Sequence, residues 1–454
     1  MSAFGGAPVA LAKFDSSSAA SVNAAYDLFK TNPTNTTEFG STTVSAQPLS
    51  ISNNSTVLQC SIPASQEHFT DLSESFVSID VKFTKKDKSD LPAANHADLK
   101  SWPETFLAHS MFSRVGLTLN DTEVYHSSQY PPMAYIDALL NESVDAKRGR
   151  MTASGWFEDS LTGKEATQVT AAAASRDLAR KKLVGGSRVL SLVFNPLTPF
   201  RDSDKRIPTG VSLKLTTTRA DIKTFIISTE QDPDIVMEIL RFEWVVRRCI
   251  VNPAVTRAFN SRLLEGAKYS LPFPRQRCKS WVVPTGVQTH RINLAEQNYL
   301  PQLLAITLVD QEAANGSFGK SQFNFKPYGV SSYDVLLDGV LMGRSLKCDY
   351  ANGNAAEAYS QTVSAIGQTS SRSGNGISYN DFLSNKAVIV FALNEPKNEE
   401  WRDYFHIKRK ATLELVITFA AATTQALTLL VSDLREDNLS IDMEGRVHMT
   451  EPAV

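Results

Sequence analysis

Cysteine is scarce in this chain of 454 residues, and the four cysteines are far apart. None belongs to a CxxC motif or another close pair, so we expect buried thiols and neither a disulfide framework nor a thiolate metal site. Long apolar runs are missing too. The best candidate, 411–431, is interrupted by Glu414 and several threonines, where a membrane-spanning helix needs roughly 20 apolar residues. The N-terminus has no basic lead followed by an apolar core, so we expect a protein made without a secretory signal.

A basic excess is also absent. The chain has 46 Lys and Arg against 48 Asp and Glu, a formal net charge of −2. Proteins that hold nucleic acid mainly through phosphate contacts usually carry a basic excess or stripe. The densest basic run, Lys408–Lys410, stands at the head of an apolar strand pattern, which favours a solvated strand end. The sequence therefore predicts no sequence-specific nucleic-acid binding, and it makes no prediction about membrane contact.

Catalytic signatures are missing as well. Gly163-Lys164 is followed by Glu165 and lacks the Ser or Thr of a phosphate-binding loop. The seven histidines have no metal-ligand spacing such as HExxH. Carboxylate pairs such as Asp232 and Asp234 are more typical of loops than of a general acid and base. We therefore predict a protein that is not an enzyme, with no catalytic residue, no bound metal and no cofactor.

Short β-type segments are what the chain has in abundance. Hydrophobic residues make up 42% and charged residues 21%, which is typical of a soluble protein with a sizeable core. In Phe76–Phe83 the side chains of Val77, Ile79 and Val81 alternate with polar ones, the period of two of a half-buried strand. Helical signals fall only in the connections, and no regular alternation of strands and helices occurs. We therefore predict an all-β fold of antiparallel sandwiches.

One local unit occurs twice, which suggests one fold used twice. In the first copy the strand Val115–Leu119 leads to an Asn120-Asp121 turn and a helix opened by Pro131-Pro132. In the second copy Tyr333–Leu337 leads to Asp338-Gly339 and a helical pattern. Two β-rich halves of about 200 residues then suggest a double jelly roll, that is, two tandem antiparallel sandwiches with short helices in the connecting loops. We also predict a short helix at 103–107 capped by Ser101, and a strand at 222–227.

The domain boundaries follow from composition and from one helix signal. Residues 1–46 are rich in small and polar side chains, so we predict a mobile arm, in which Tyr26, Leu28 and Phe29 are candidates to dock on a neighbour. Asn252-Pro253 is a good helix start near the middle of the chain. The predicted order is the arm (1–46), jelly roll 1 (47–251), a linker helix and connection (252–275), jelly roll 2 (276–442) and a C-terminal tail (443–454).

An ordered set of short motifs also resembles a known family. The motifs are Tyr26–Phe29, Phe106-Leu107, Met111–Val115, Leu119-Asn120, Tyr130-Pro131, Ala134–Asn141, Asp145–Lys147, Gly210–Leu215, Val245–Arg248, Val251–Pro253, Val283–Gln288, Gly374–Ser378 and Leu413–Leu415. In this order and spacing they resemble capsid-like proteins encoded by Polinton/Maverick elements and the related adintoviruses. The run Tyr130–Met133 departs from the more polar-aromatic turn of those relatives.

The resemblance implies a major capsid protein with a double jelly roll. Such subunits form trimers, whose six jelly rolls make a pseudo-hexagonal capsomer that tiles an icosahedral shell. The implied partners are other copies of the chain together with penton and minor capsid proteins. The implied location is the virion capsid, after synthesis in the host cell.

Two alternatives stay open. One is a carbohydrate-binding or hydrolytic β-sandwich protein, which would need a cleft lined by aromatic and carboxylate side chains. The five tryptophans are spread along the chain and do not indicate such a cleft: Trp102, Trp156, Trp244, Trp281 and Trp401. The other alternative is a domesticated, non-viral copy of the capsid fold that forms no virions.

Overall fold

The computed structural model describes residues 28, 33–51, 55–92, 99–158, 171–369, 373–394 and 406–449, with the backbone alone at 171–177 and 296–298. The strands of the first half are β1 (Glu38–Ala46), β2 (Val57–Ile62), β3 (His68–Thr84), β4 (Ser101–Pro103), β5 (Phe112–Leu119), β6 (Thr122–Ser127), β7 (Val189–Phe194), β8 (Leu213–Arg219), β9 (Ile226–Ser228) and β10 (Val236–Val251). Those of the second half are β11 (Tyr269–Val283), β12 (Thr289–Tyr299), β13 (Leu303–Asp310), β14 (Val330–Leu337), β15 (Val340–Leu341), β16 (Leu346–Lys347), β17 (Ile389–Ala392), β18 (Lys410–Phe419), β19 (Leu427–Ile441) and β20 (Val447–Met449).

The helices are short and lie in the connections between strands. They are α1 (Leu107–Ser110), α2 (Tyr130–Asn141), α3 (Val144–Arg148), α4 (Ala171–Val184), α5 (Ile222–Phe225), α6 (Pro253–Leu264), α7 (Gln311–Ala314), α8 (Ala356–Ala365) and α9 (Tyr379–Ser384). Helix α6 joins the two halves, and the side chain of Asn252 accepts the backbone N–H of Ala254 at 3.0 Å, as a capping residue does. The structure thus has a helix where Asn252-Pro253 predicts a helix start.

Each half is built from two antiparallel sheets, which have four strands each in the first half and five each in the second, where β20 also pairs with β19 and β16 with β14. In the first half the strand orders are β1-β10-β3-β7 and β2-β8-β5-β6, and in the second they are β11-β19-β13-β17 and β12-β18-β14-β15. Each half has eight principal strands when β4, β9, β16 and β20 are left out. Numbered 1 to 8 in chain order, these strands have the orders 1-8-3-6 and 2-7-4-5 in both halves. Eight strands in two sheets with long crossovers form a jelly roll. The predicted double jelly roll is therefore confirmed.

The strand faces follow the sequence pattern. In β3 the side chains of Val77, Ile79 and Val81 are buried, whereas Ser78 and Asp80 face outwards. Strand β10 pairs with β3 along its whole length and has the same alternation. The buried apolar residues of both jelly rolls form one continuous cluster, so the core runs from one half into the other.

The repeated unit is present in both halves with the same turn geometry. The φ angles are +42° and +65° at Asn120 and Asp121, and +49° and +79° at Asp338 and Gly339. Positive φ at both central residues is the mark of a type I′ hairpin turn, whose twist matches that of the flanking strands. The turns join β5 to β6 and β14 to β15, and helices α2 and α8 follow.

Three strands lie wholly or partly outside the two predicted jelly-roll ranges. Strand β1 falls inside the predicted arm, β11 begins inside the predicted connection, and β20 lies in the predicted tail. Their polar or proline-containing sequences gave no clear alternation, but β1 pairs with β10, and both β11 and β20 pair with β19. Those parts of the prediction are wrong, because backbone pairing in the folded chain outweighs weak local preference.

Two local predictions are also wrong. Ser101 does not cap a helix, because Ser101–Pro103 is strand β4, and Trp102 packs on Ile227 in a small core of its own. The predicted strand at 222–227 begins as helix α5, which Asp221 caps by accepting the N–H of Lys223, and only its end is strand β9.

Candidate functional site

Helix α2 lies at the junction between the two jelly rolls. Residues 130–140 of this helix are all buried, and the helix contacts β5 of the first jelly roll together with β11 and β19 of the second. A helix that is apolar on all sides needs neighbours on all sides. Because both jelly rolls supply those neighbours, α2 is shared between them.

Aromatic rings from both halves stack at this junction. The ring of Tyr135 lies 4.3 Å from that of Phe323 in the second jelly roll and 5.4 Å from that of Trp156 in the first. Phe200 and Phe273 make a second such contact, at 5.2 Å. Stacked and tilted aromatic pairs stabilise a contact beyond the area they bury. The junction is therefore packed as a protein interior is.

His109 of the first jelly roll is buried against Tyr130, the first residue of helix α2. Nδ1 of His109 lies 2.7 Å from the hydroxyl of Tyr130, which also accepts the N–H of Leu197, and the imidazole stacks on Phe106 at 3.9 Å. Burial, and after it the positive charge of Arg201, holds the pKa of His109 well below its ordinary value of 6.5. The imidazole is therefore neutral in the fold.

The C-terminal end of α2 is held by side chains from further along the chain. Nζ of Lys147 donates to the carbonyl of Leu139 at 2.9 Å and to that of Asn375, in the second jelly roll, at 2.6 Å. The side-chain amides of Gln368 and Asn375 donate to the carbonyl of Leu140 at 3.2 and 3.4 Å. These groups satisfy carbonyls that a helix leaves unpaired at its end. Desolvation of the buried ammonium, helped by the charge of Lys386, lowers the pKa of Lys147 to about 8.

The loop around Asn375 fits closely against α3. The N–H of Val144 donates to the carbonyl of Gly374 at 3.3 Å. Gly376 has φ of +78°, and a Cβ at this position would lie 2.7 Å from Cγ2 of Val144. Only glycine satisfies both conditions without a shift. The motifs Asp145–Lys147 and Gly374–Ser378, which the sequence analysis named separately, therefore meet across the junction.

The other end of the junction is held by the first repeated turn. Nδ2 of Asn120 donates to the carbonyl of Gly445 at 2.9 Å, and its Oδ1 accepts the N–H of Ser212 at 2.7 Å. Elsewhere the N–H of Ser228 donates to the carbonyl of Phe318 at 2.7 Å. Hydrogen bonds from several separate segments thus join the two jelly rolls.

A cleft of about 650 Å³ remains open between the two halves, and we call it the inter-sandwich cleft. Its lining comes from both jelly rolls and includes Leu140, Leu197, Arg201, Gln276, Gln302 and Leu434. Nη2 of Arg201 lies 3.1 Å from carboxylate oxygens of Asp137 and Asp202. Burial opposes the charge of Arg201, but the two carboxylates outweigh it and raise the pKa of the guanidinium. Amide, charged and apolar groups are therefore mixed in the lining.

The structure says little about the predicted docking residues of the arm. Tyr26 and Phe29 lie outside the described residues, and the side chain of Leu28 is 82% exposed. Their docking stays a prediction. The described residues contain no group of three or more His, Cys, Asp or Glu placed to hold a metal ion. No helix in those same ranges is both long enough and apolar enough to cross a membrane.

The geometry gives no support to a saccharide site. Trp102, Trp156 and Trp244 are buried, Trp281 is half-buried at the end of β11, and Trp401 lies outside the described residues. Among the described residues that line the inter-sandwich cleft, Tyr125 is the only aromatic side chain, and its ring is buried. A sugar-binding cleft would need exposed aromatic faces.

Comparison with known proteins agrees with this architecture. No protein-family model matches the chain. An uncharacterized protein of Caenorhabditis elegans is 24% identical over 325 residues, which cover 71% of this chain and 75% of the nematode protein. Among solved structures, a chain of the Sputnik virophage has a TM-score of 0.63 at 10% identity and covers 96% of this chain and 93% of its own.

Two further structures carry explicit names. The mavirus major capsid protein has a TM-score of 0.54 at 12% identity, covering 98% of this chain and 97% of its own. The Faustovirus major capsid protein has a TM-score of 0.52 at 8% identity, and the match covers 93% of this chain and 92% of the Faustovirus protein. The chain shares the fold of these capsid proteins. The likeness extends over both jelly rolls and not over one half alone, so the double arrangement itself is shared.

Proposed function

We propose that this protein is a structural major capsid protein, which works by assembling with copies of itself. The observation that carries the proposal is the rigid pairing of two jelly rolls of identical strand order, over nearly the whole length of the chain. Three such chains around a threefold axis would present six similar sandwiches, a pseudo-hexagonal outline suited to tiling an icosahedral shell. No enzymatic step is needed for this role.

Exposed apolar side chains offer surfaces for such assembly. On the outward face of the sheet β1-β10-β3-β7, the side chains of Phe76, Val189 and Val193 are exposed. Exposed apolar patches rimmed by polar groups are typical of protein interfaces. Here the rim includes the ion pair between Arg241 and Asp80. We propose this face as one of the contacts between copies.

The finer parts of the proposal come from the motif resemblance. We propose a virus of the Polinton/Maverick type as the origin, the virion capsid as the location, and penton and minor capsid proteins as further partners. We also propose that the arm segment with Tyr26, Leu28 and Phe29 docks on a neighbouring copy.

The test is a mass measurement on the purified full chain, by light scattering over a range of concentrations, with electron microscopy of the same sample. We expect a species of three times the chain mass of 49.8 kDa, and ring-like capsomers of hexagonal outline. The variant Val193→Asp places a charge on the proposed contact face, and Val340→Asp places one on the exposed β15 hairpin as a matched control. A monomer at all concentrations would refute the proposal.

A second candidate role is a domesticated copy of the capsid fold encoded in an animal genome. It is favoured by the similarity to an uncharacterized nematode protein. The two roles differ in whether closed shells form. Electron microscopy of the expressed protein separates them: trimers that never close into shells, even at high concentration, favour the domesticated copy.

A further inference from the structure

We propose that the inter-sandwich cleft binds the N-terminal segment around Leu28 of a neighbouring copy of the chain. The inference rests on the proposed function, because it needs copies that lie side by side. It adds to that function the place where the arm of one subunit is held by the next.

An unpaired donor in the cleft points to a ligand with a carbonyl group. The backbone of Gln302 is fixed on both sides, since its N–H donates to Leu434 at 2.8 Å and its carbonyl accepts the N–H of Leu393 at 2.9 Å. Its side chain lines the cleft and the residue is 5% exposed. Nε2 is nevertheless without a hydrogen-bond partner. A buried donor left unpaired costs free energy, and a peptide carbonyl in the cleft would satisfy it.

The rest of the lining suits a peptide with large apolar side chains. Ile136, Leu140 and Leu197 from the first jelly roll face Ile366 and Leu434 from the second. A volume of about 650 Å³ lies in the range of sites that enclose a ligand. The sequence Tyr26-Asp27-Leu28-Phe29 offers three such side chains within four residues.

The charge of the cleft lining also complements that of the N-terminal segment. Among the described residues that line the cleft, Asp137, Asp202 and Glu436 are acidic and Arg201 is basic, which leaves an excess of negative charge there. Lys30 directly follows the apolar run of the segment. A lysine at this position would lie near the acidic lining when the apolar side chains are bound.

The segment is long enough to leave its own subunit. The carbonyls of Thr36 and Thr37 are held by the side chain and the N–H of Asn252 at the start of α6. Thr36 lies eight positions after Leu28, and eight steps of extended chain span up to about 28 Å. The side chain of Leu28 is 82% exposed, so its own subunit leaves it free to be covered by another.

Disulfide trapping between two populations of full-length chain tests the proposal. One population carries Leu28→Cys, and the other, with a different tag, carries Thr198→Cys on the cleft lining. The four native cysteines are buried and do not compete. After mixing and equilibration in a redox buffer, we expect a covalent heterodimer. Gln59→Cys, on the exposed face of β2, replaces Thr198→Cys in the control and should give almost none.

Two variants test the chemistry of binding. Gln302→Leu removes the unpaired donor and should lower the cross-link yield roughly five- to tenfold. Its melting temperature is measured alongside, so that a folding defect is recognised. Phe29→Asp, in the segment itself and outside the described residues, should abolish the cross-link.

Each other outcome overturns the inference. A disulfide within one chain carrying both Leu28→Cys and Thr198→Cys, with no heterodimer on mixing, shows that the segment binds its own cleft. Equal yields with Thr198→Cys and Gln59→Cys show random collision. Trimers without any cross-link refute the cleft as the docking site and leave the proposed function standing, whereas a strict monomer refutes the proposed function itself.

Discussion

Lys147 is the residue at which the two jelly rolls are most directly joined. Its ammonium is buried, yet it donates to two backbone carbonyls, one on each side of the junction. A buried cation is tolerated when such acceptors surround it, and here it also lies at the negative end of helix α2. Burying the ammonium of Lys147 costs free energy, and its hydrogen bonds to the carbonyls of Leu139 and Asn375 offset that cost.

Replacing this lysine tests its role. We expect Lys147→Met to destabilise the protein by about 3 kcal/mol, because the carbonyls of Leu139 and Asn375 would be left buried and unpaired. The measurement is the free energy of unfolding from a denaturant titration. Lys182→Met, on the exposed side of α4, is the matched control and should change it by less than about 0.5 kcal/mol. Equal effects of the two variants would contradict the assignment.

His109 predicts how stability depends on pH. Because the pKa of this histidine is lower in the fold than the 6.5 of an exposed histidine, the unfolded chain binds a proton first as the pH falls. Stability should therefore be complete above about pH 6.5 and decline between pH 6.5 and 5. His109→Gln removes this titration, so its melting temperature should fall less between pH 7 and 5 than that of the unchanged protein, although it starts lower. If His126→Gln, on β6, flattens the profile equally, the assignment is wrong.

At the scale of elements, the tight loop of the second jelly roll gives a matched pair of substitutions. Gly376→Ala should destabilise the protein by about 2 kcal/mol or more, because the left-handed φ alone costs an alanine about 1–2 kcal/mol and its Cβ would meet Val144. Gly374→Ala, two residues earlier, meets no atom within 4 Å and needs no positive φ. The measurement is the thermal unfolding of both variants. Similar losses of stability in Gly376→Ala and Gly374→Ala would contradict the close packing of Gly376 on Val144.

Which elements the sequence predicts depends on how strictly they alternate. The strict alternation of Thr412–Phe419 predicts a strand, and β18 covers Lys410–Phe419. The pairs Asn120-Asp121 and Asp338-Gly339 predict turns, and the structure shows that both are of type I′. The sequence pattern predicts no strand at β12. Two register shifts, between Asn293 and Ala295 and again before Asn298, interrupt its period of two. Strand β1 falls in the predicted arm because most of its side chains are small or polar, although its backbone pairs with β10 over most of its length, with one register shift between Glu38 and Gly40.

The junction was beyond sequence reasoning for a different reason. Lys147 and Asn375 were both named within motifs, but 228 residues separate them and no periodicity links them. A buried lysine looks like any surface lysine in the sequence. In the sequence, Gly376 is only one residue of the motif Gly374–Ser378, whereas the structure requires a glycine there for the close approach to Val144. Contacts between distant segments need the topology before they can be paired.

At the scale of the whole molecule, the two jelly rolls share one core, and the linker that contains helix α6 adds little to the packing between them. Helix α6 has no buried residue, and the stretch from Glu265 to Lys268 after it is exposed. The core cluster, by contrast, is continuous between the halves, and helix α2 would expose apolar surface on one side without β11 and β19. The junction, and not the covalent connection, therefore keeps the halves together.

This predicts the outcome of cutting the linker. A protease site inserted between Glu265 and Lys268 should be cleaved readily, and the two fragments should still elute together at the mass of the intact chain, because interfaces that resemble a protein interior persist without a covalent link. The uncut insertion variant is the control. In a denaturant titration the fragments of the cut protein should separate at a lower denaturant concentration when Lys147→Met is added, since that variant removes the hydrogen bond to Asn375 across the junction. If the fragments separate in buffer without denaturant, the covalent linker is what holds the halves together. The shared core would then be too weak to make the double jelly roll a rigid building block.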